Sequence, residues 1–231
     1  TPHKIHSFIN GKNIQITRDN PADPSHLNKE ISLKIYNRNE IAGGQSTYQI
    51  SEQPRFSKHH PLGNERRGDF TLLINGMPVI HVELKKHKDY LAEGIRQIEK
   101  YTHEGVFTGF YSLVQLFVVI TPEETIYFAN PGRDNQFQKE FMFHWADFNN
   151  EPINDWETIA EQLLSIPMAH ELIGFYSVAD DTDNRLKVLR SYQYNAVKQI
   201  SKKVSSTIWD EHDNKGGYIW HTTGSGKTLT S

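Results

Sequence analysis

Asp69, Glu83 and Lys85 are the residues whose types and spacing most suit a hydrolytic site. They lie in "GDFTLLINGMPVIHVELKK" (68–86), with Glu83 fourteen and Lys85 sixteen residues after Asp69. Two carboxylates can hold Mg²⁺, which polarises a phosphoryl oxygen and lowers the pKa of a bound water. A lysine beside them can stabilise the nucleophile or the developing charge. The carbonyl of Leu84, between the two, is a further oxygen ligand for a hard cation. The pattern is loose, since exposed hairpins also carry Glu and Lys at i, i+2 as solvated pairs. Three neighbours weigh toward chemistry. Val79, Ile80, Val82 and Leu84 make the run otherwise as apolar as a buried strand, where an unpaired charge is costly. Gln97 and Tyr101 share one face of a following helix. Lys85, Lys86 and Lys88 form a basic cluster that could meet phosphates.

The hairpin has to deliver this geometry. A regular two-residue Asn75-Gly76 turn pairs Ile74 with Met77 and sets Asp69 opposite Val82, on the wrong face for Glu83. A three-residue loop ending in Gly76, with a left-handed bulge, pairs Leu73 with Met77 and brings Asp69 opposite His81. The site therefore requires an odd loop or a bulge.

A second chemical stretch is "GGYIWHTTGSGKTLTS" (216–231). Gly224, Ser225 and Gly226 can turn backbone N–H groups toward phosphate oxygens. Lys227 would meet the β and γ phosphates and Thr228 would hold Mg²⁺. The first position of the usual pattern, normally glycine, is His221. A strand over 217–222 is expected to feed this loop. ATP hydrolysis needs a further acidic motif on a later strand, so this segment reads as the truncated start of a motor that would not turn over ATP by itself. "LRSYQYNA" resembles the adenine-sensing glutamine motif of superfamily-two helicases, which implies that Gln193 would read the adenine edge.

The elements that must position these groups follow from periodicity. "ISLKIYN" (31–37), "DFTLLI", "VIHVELK", "LFVVIT" (116–121) and "TIYFAN" (125–130) read as strands. Residues 90–105, 154–166 and 191–204 read as helices, the second capped by Asn154 and stopping before Pro167. Residues 1–60 read as polar and irregular, "DNPADPSH" (19–26) and "AGGQS" (42–46) as loops, and "VADDTDNRLK" (178–187) as part of a linker. Phe141, Phe143, Trp145 and Phe148 read as core. His59, His60, His81, His87 and His221 show no metal-ligand spacing, although His81 falls beside the acid pair.

Composition bounds the rest. The chain has 231 residues, no cysteine, a formal charge of −3 and a mean hydropathy of −0.63. Disulfides and thiolate metal sites are excluded. No apolar run approaches a membrane span, and a cytoplasmic location is expected. Ten Asp or Glu and no Lys or Arg fall in 140–183, leaving the remainder net positive. The overall charge therefore does not argue against DNA binding.

The Asp69…Glu83-Leu84-Lys85 hairpin with Gln97-x-x-x-Tyr101, the "RSYQ" segment and the terminal loop together resemble the N-terminal part of the restriction (motor) subunit of type I restriction–modification enzymes. The resemblance covers roughly 65–231. It implies an α/β fold: a PD-(D/E)xK nuclease-like mixed sheet flanked by helices over 1–178, a linker over 179–190, and the start of a RecA-like motor domain over 191–231. It implies Mg²⁺ at Asp69, Glu83 and Leu84, catalysis by Lys85, and Gln97 and Tyr101 orienting the site or touching DNA. ATP with Mg²⁺ would bind at Gln193 and Gly224–Thr228. Double-stranded DNA and the modification (methyltransferase) and specificity subunits are the implied partners. The alternative is a helicase-type ATPase whose N-terminal DNA-binding domain is structural and inactive.

Overall fold

The computed structural model describes residues 1–11, 13–17, 28–34, 36–56, 66–207 and 216–230. The expected loop over 19–26, and His59 and His60, lie outside the described residues.

A five-stranded mixed sheet forms the centre, in spatial order β3 (Tyr48–Glu52), β6 (Phe70–Ile74), β7 (Met77–Leu84), β8 (Leu116–Ile120), β9 (Thr125–Ala129). Small hairpins β1–β2 (Asn13–Thr17, Glu30–Lys34) and β4–β5 (Arg55–Phe56, Arg66–Arg67) stand apart from it. The β7–β8 pair is parallel and the other ladders of the sheet are antiparallel. A parallel pair needs a crossover, and helix α2 (Leu91–His103) supplies it. Every residue of β8, and all of β7 but Leu84, is buried, because both faces of the sheet are covered.

On one face Ile80, Val82, Leu116, Val118 and Tyr127 pack with Ile9 of helix α1 (Pro2–Gly11) and with helices α3 (Trp156–Gln162) and α4 (Ile166–Gly174). On the other, Phe117, Val119 and Phe128 pack under Leu91, Ile98 and Tyr101 of α2. Helix α2 ends in a Schellman motif, with Gly105 at φ 78°, its N–H on Thr102 O and the Val106 N–H on Tyr101 O. The helix lies close to the sheet at Gly94, where an added Cβ would fall 2.5 Å from Val119 Cγ1. Gly94→Val is therefore expected to cost about 2 kcal/mol through overpacking, read as a lower urea midpoint. An unchanged midpoint would mean that α2 stands further off the sheet.

Five sequence expectations change. Residues 1–60 are not wholly irregular: α1 enters the core and β3 forms the sheet edge. β3 escaped notice because it is half-exposed, with Ile50 71% accessible, so its alternation is weak. The expected linker contains a hairpin, β10 (Ser177–Asp180) and β11 (Arg185–Val188), with Leu186 and Val188 in the core and Lys187 bridging Asp180 and Asp183 at 2.5 and 2.8 Å. The helix expected over 154–166 is two helices: Asp155, not Asn154, caps α3, and Pro167 sits in the first turn of α4, where its missing N–H costs nothing. The strand expected at 217–222 is absent. Tyr218 and Trp220 are 91% and 87% exposed, and none of the described strands lies beside them to complete a ladder. Of the four aromatics read as core, Trp145 is buried and Phe143 packs against the core, whereas Phe141 and Phe148 are exposed.

Candidate active site

The β6–β7 hairpin turns at Asn75 (φ 52°) and Gly76 (φ 77°), both left-handed, in a two-residue turn that pairs Ile74 with Met77. The three-residue loop pairing Leu73 with Met77 is thus corrected. The required irregularity sits further along: Leu73 pairs with Pro78 but Leu72 with Ile80, leaving Val79 as the extra residue of a bulge. Beyond it Thr71 faces His81 and Phe70 faces Val82, so the next step sets Asp69 opposite Glu83 rather than His81. The apolar phase of the sequence records this shift. Met77 and Val79 face one core, and after the bulge Ile80 and Val82 face that same core. His81 and Glu83 are thereby turned to the α2 side.

There the residues meet. Leu84 N donates to Asp69 Oδ2 at 2.6 Å. Glu83 is fully buried, and its Oε1 lies 3.0 Å from His81 Nε2. Gln97 reaches down from α2: its Nε2 donates to Glu83 Oε2 at 2.8 Å and to the Tyr101 hydroxyl at 3.0 Å, while its Oε1 accepts from Lys85 Nζ at 2.7 Å. Lys85 Nζ is 3.8 Å from Glu83 Oε2. Tyr101 in turn donates to Arg67 O at 3.3 Å, and Arg66 forks onto Glu104 with two 2.6 Å bonds, fastening the β4–β5 hairpin to the end of α2. Burial, with the Asp69 charge adding to it, raises the Glu83 pKa against the opposing pull of His81 and Lys85. Burial and the Glu83 charge raise that of Tyr101.

Asp69, Glu83, Lys85, Gln97 and Tyr101, each named from the sequence, are thus gathered on one sheet face. His81, seen from the sequence only as a neighbour, is a member of the cluster. Among the described residues no three His, Cys, Asp or Glu side chains group as metal ligands. The donor set nonetheless fits Mg²⁺, which keeps several waters and takes one or two carboxylates, and a cation would offset the burial, and the smaller Asp69 repulsion, that raise the Glu83 pKa.

The second cluster is the Gly-rich loop. Gly224 and Gly226 have φ of 79° and 75°, and a short helix α6 (Lys227–Thr230) follows. Helix α5 (Ser191–Ser206) packs on it. Gln193 is buried and both ends of its amide are engaged: Oε1 accepts from Arg190 N at 2.8 Å, and Nε2 donates to Ser225 O at 3.0 Å and Gly226 O at 3.3 Å. The Tyr192 hydroxyl also bonds Ser225 O, at 2.9 Å. Gln193 therefore braces the loop. A pocket of about 200 Å³ opens beside it, lined by Phe141, Phe143, Arg190 and Gly224–Gly226 among others.

Fold and site define a mixed α/β domain carrying a buried acid–lysine network, joined to a Gly-rich loop segment. Residues 7–136 match the family described as type I restriction enzyme R protein N terminus, and residues 192–231 match SWI2/SNF2 ATPase. The chain belongs to the first family. The SauCOLORF180P endonuclease subunit of Staphylococcus aureus is 36% identical over 99% of this chain, and the SsaAORF53P endonuclease subunit of Staphylococcus saprophyticus 32% over 99%. The EcoprrI endonuclease subunit of Escherichia coli is 31% identical over 67% of the chain. The chain spans 23%, 23% and 50% of these relatives' lengths. Among the described residues no helix is long and apolar enough to cross a membrane.

Proposed function

We propose that this chain is the nuclease part, with the first segment of the motor, of a type I restriction enzyme subunit, and that it hydrolyses DNA phosphodiesters with Mg²⁺ on a PD-(D/E)xK-type sheet. The observation that carries the reading is the convergence of Asp69, Glu83, Lys85 and Gln97 on one sheet face through a bulge that the chemistry required. Asp69, Glu83 and the Leu84 carbonyl would hold the metal, which when bound supplies Lewis-acid polarisation and an acidified water. Lys85 offers N–H donors to the charge that grows on the nucleophile and the phosphoryl oxygens. Gln97 fixes the lysine's position, Tyr101 fixes Gln97, and α2 excludes water from behind Glu83. The Gly-rich loop with Gln193, Lys227 and Thr228 would take ATP with Mg²⁺ as part of a longer motor that moves duplex DNA. The relatives' names, type I restriction enzyme endonuclease subunits, support restriction as the role; modification and specificity subunits would be its company.

Crystals of the chain soaked in Mn²⁺ test the metal site. An anomalous peak is expected within ligand distance of Asp69, Glu83 and the Leu84 carbonyl, and is expected to vanish in Asp69→Ala crystals. A peak that persists in Asp69→Ala, or that forms only elsewhere, would count against the nuclease reading of the hairpin.

A further inference from the structure

Both carboxylate oxygens of Glu83 are engaged, by side chains from different elements. Gln97 of α2 holds Oε2, and His81, two residues earlier on the same strand face, lies 3.0 Å from Oε1. His81 has no accessible surface. Its other nitrogen, Nδ1, is 3.3 Å from the Thr71 hydroxyl on the facing strand. A hydroxyl that donates to Nδ1 leaves the ring proton on Nε2, where it points at Glu83. The ring is also walled in. Phe107, Phe56 and Phe117 surround it with centroids at 5.3, 5.9 and 6.3 Å. Gly68 supplies the remaining space, since a Cβ there would fall 2.5 Å from His81 Cε1. A satisfied core histidine needs a partner but not a fixed carboxylate oxygen, and an apolar residue would fill this aromatic pocket without burying a polar group.

We propose that His81 is a positioning residue: its Nε2–H fixes Oε1 of Glu83, so that the carboxylate presents its remaining lone pairs to the metal in one orientation. This rests on Glu83 being a metal ligand. Each carboxylate oxygen accepts at two sites, so the clamp leaves room for coordination. Partners of this kind, held behind a ligand, typically change metal affinity or activity about 10–100-fold when removed.

The test uses Mn²⁺ alone, titrated into this chain and followed by the electron paramagnetic resonance of the free ion, together with long-range ¹H–¹⁵N NMR of the imidazoles. His81 is expected in the Nε2–H tautomer. His81→Phe, which fills the pocket without a donor, is expected to weaken Mn²⁺ binding about 10–100-fold, and His81→Gln, which keeps an N–H donor, to recover much of that loss. Thr71→Val leaves the ring in place and removes the hydroxyl that sets its tautomer. It is expected to weaken binding several-fold, and it decides the matter if His81→Phe does not fold. A folded His81→Phe that binds like the unaltered chain, an unchanged Thr71→Val, or a proton on Nδ1 would overturn the proposal and make His81 core filling. If the unaltered chain binds no Mn²⁺, the metal reading of Glu83 fails first and the proposal falls with it.

Discussion

Asp69→Asn in the full-length subunit is expected to reduce DNA cleavage at least about 100-fold, the scale seen when one preorganised charge-stabilising group is removed, without loss of fold stability. The substitution is nearly isosteric. An asparagine oxygen still accepts the Leu84 N–H that now bonds Asp69 Oδ2 at 2.6 Å, so the hairpin keeps its shape. What disappears is one of the two carboxylates that would hold the proposed cation. Nicking of supercoiled DNA by the assembled enzyme, with ATP hydrolysis measured in parallel, separates the two readings of the chain. Lost cleavage with retained ATP turnover places Asp69 in the nuclease. Unchanged cleavage would make the N-terminal domain structural and leave a helicase-type ATPase as the better description.

The same variant has a proton-linkage consequence. Burial first, and the Asp69 charge to a lesser degree, raise the Glu83 pKa above 4.5 in the folded chain. A carboxyl with a raised folded-state pKa costs no stability below its unfolded pKa, and its cost grows as pH rises through the folded value. Removing the Asp69 charge lowers that folded pKa. Asp69→Asn should therefore melt no lower than the unaltered chain at neutral pH, and the two should converge as pH falls below about 4.5, the ordinary glutamate range. A variant that is inactive yet no less stable is what a functional carboxylate pair predicts, because the Asp69 charge would serve a cation and not the fold.

The central hairpin, the crossover helix and the strands at 116 and 125 were legible because strong periodicity specifies each one locally. The acid pair, Lys85 and the Gln97/Tyr101 face were legible for the same reason. The requirement for a bulge was also legible, as an inference from which face Asp69 must occupy. Its position was not, because a bulge is fixed by pairing between strands, and only the change of phase between Val79 and Ile80 hinted at it. β3 was missed because an edge strand covered on one side carries little apolar signal. The strand expected at 217–222 failed for the opposite reason: its apolar, β-prone residues suit a strand, but a strand needs a neighbour, and none of the described strands pairs with it. For His81 the only sequence signal was its place two residues before Glu83, on the same strand face. Its part in the cluster depends on Thr71 from the facing strand and on the space left at Gly68.

Gln97→Leu is the second large effect expected, and it falls on stability and activity together. One amide joins the two charged groups of the site, accepting from Lys85 Nζ at 2.7 Å and donating to Glu83 Oε2 at 2.8 Å. Leucine fills a similar volume on α2 but offers neither function. Lys85 and Glu83 have side chains only 14% and 1% accessible, so water can restore little of what is lost. Leaving a buried polar group unsatisfied costs about 1–3 kcal/mol, and more when it is charged. A loss of about 2–3 kcal/mol is therefore expected in urea unfolding. Lys85, freed from its anchor, would lose its aim at the phosphoryl group, and cleavage should fall about 10–100-fold. Gln97→Glu separates the two functions. It keeps an acceptor for Lys85 but sets a carboxylate against Glu83 Oε2, so it should retain the lysine's position and raise the Glu83 pKa further. If the amide serves mainly to aim Lys85, Gln97→Glu should cleave better than Gln97→Leu. If it serves mainly to hold Glu83 ionised and in place, Gln97→Glu should be the worse of the two at neutral pH and should need more Mg²⁺ for half-maximal cleavage. Tyr101→Phe, which removes only the 3.0 Å contact with Gln97 and the 3.3 Å contact with Arg67 O, should stay within about 1 kcal/mol of the unaltered chain. A Gln97→Leu variant as stable as the unaltered chain would mean that the amide does not bridge the two charges, and the network would have to be redrawn.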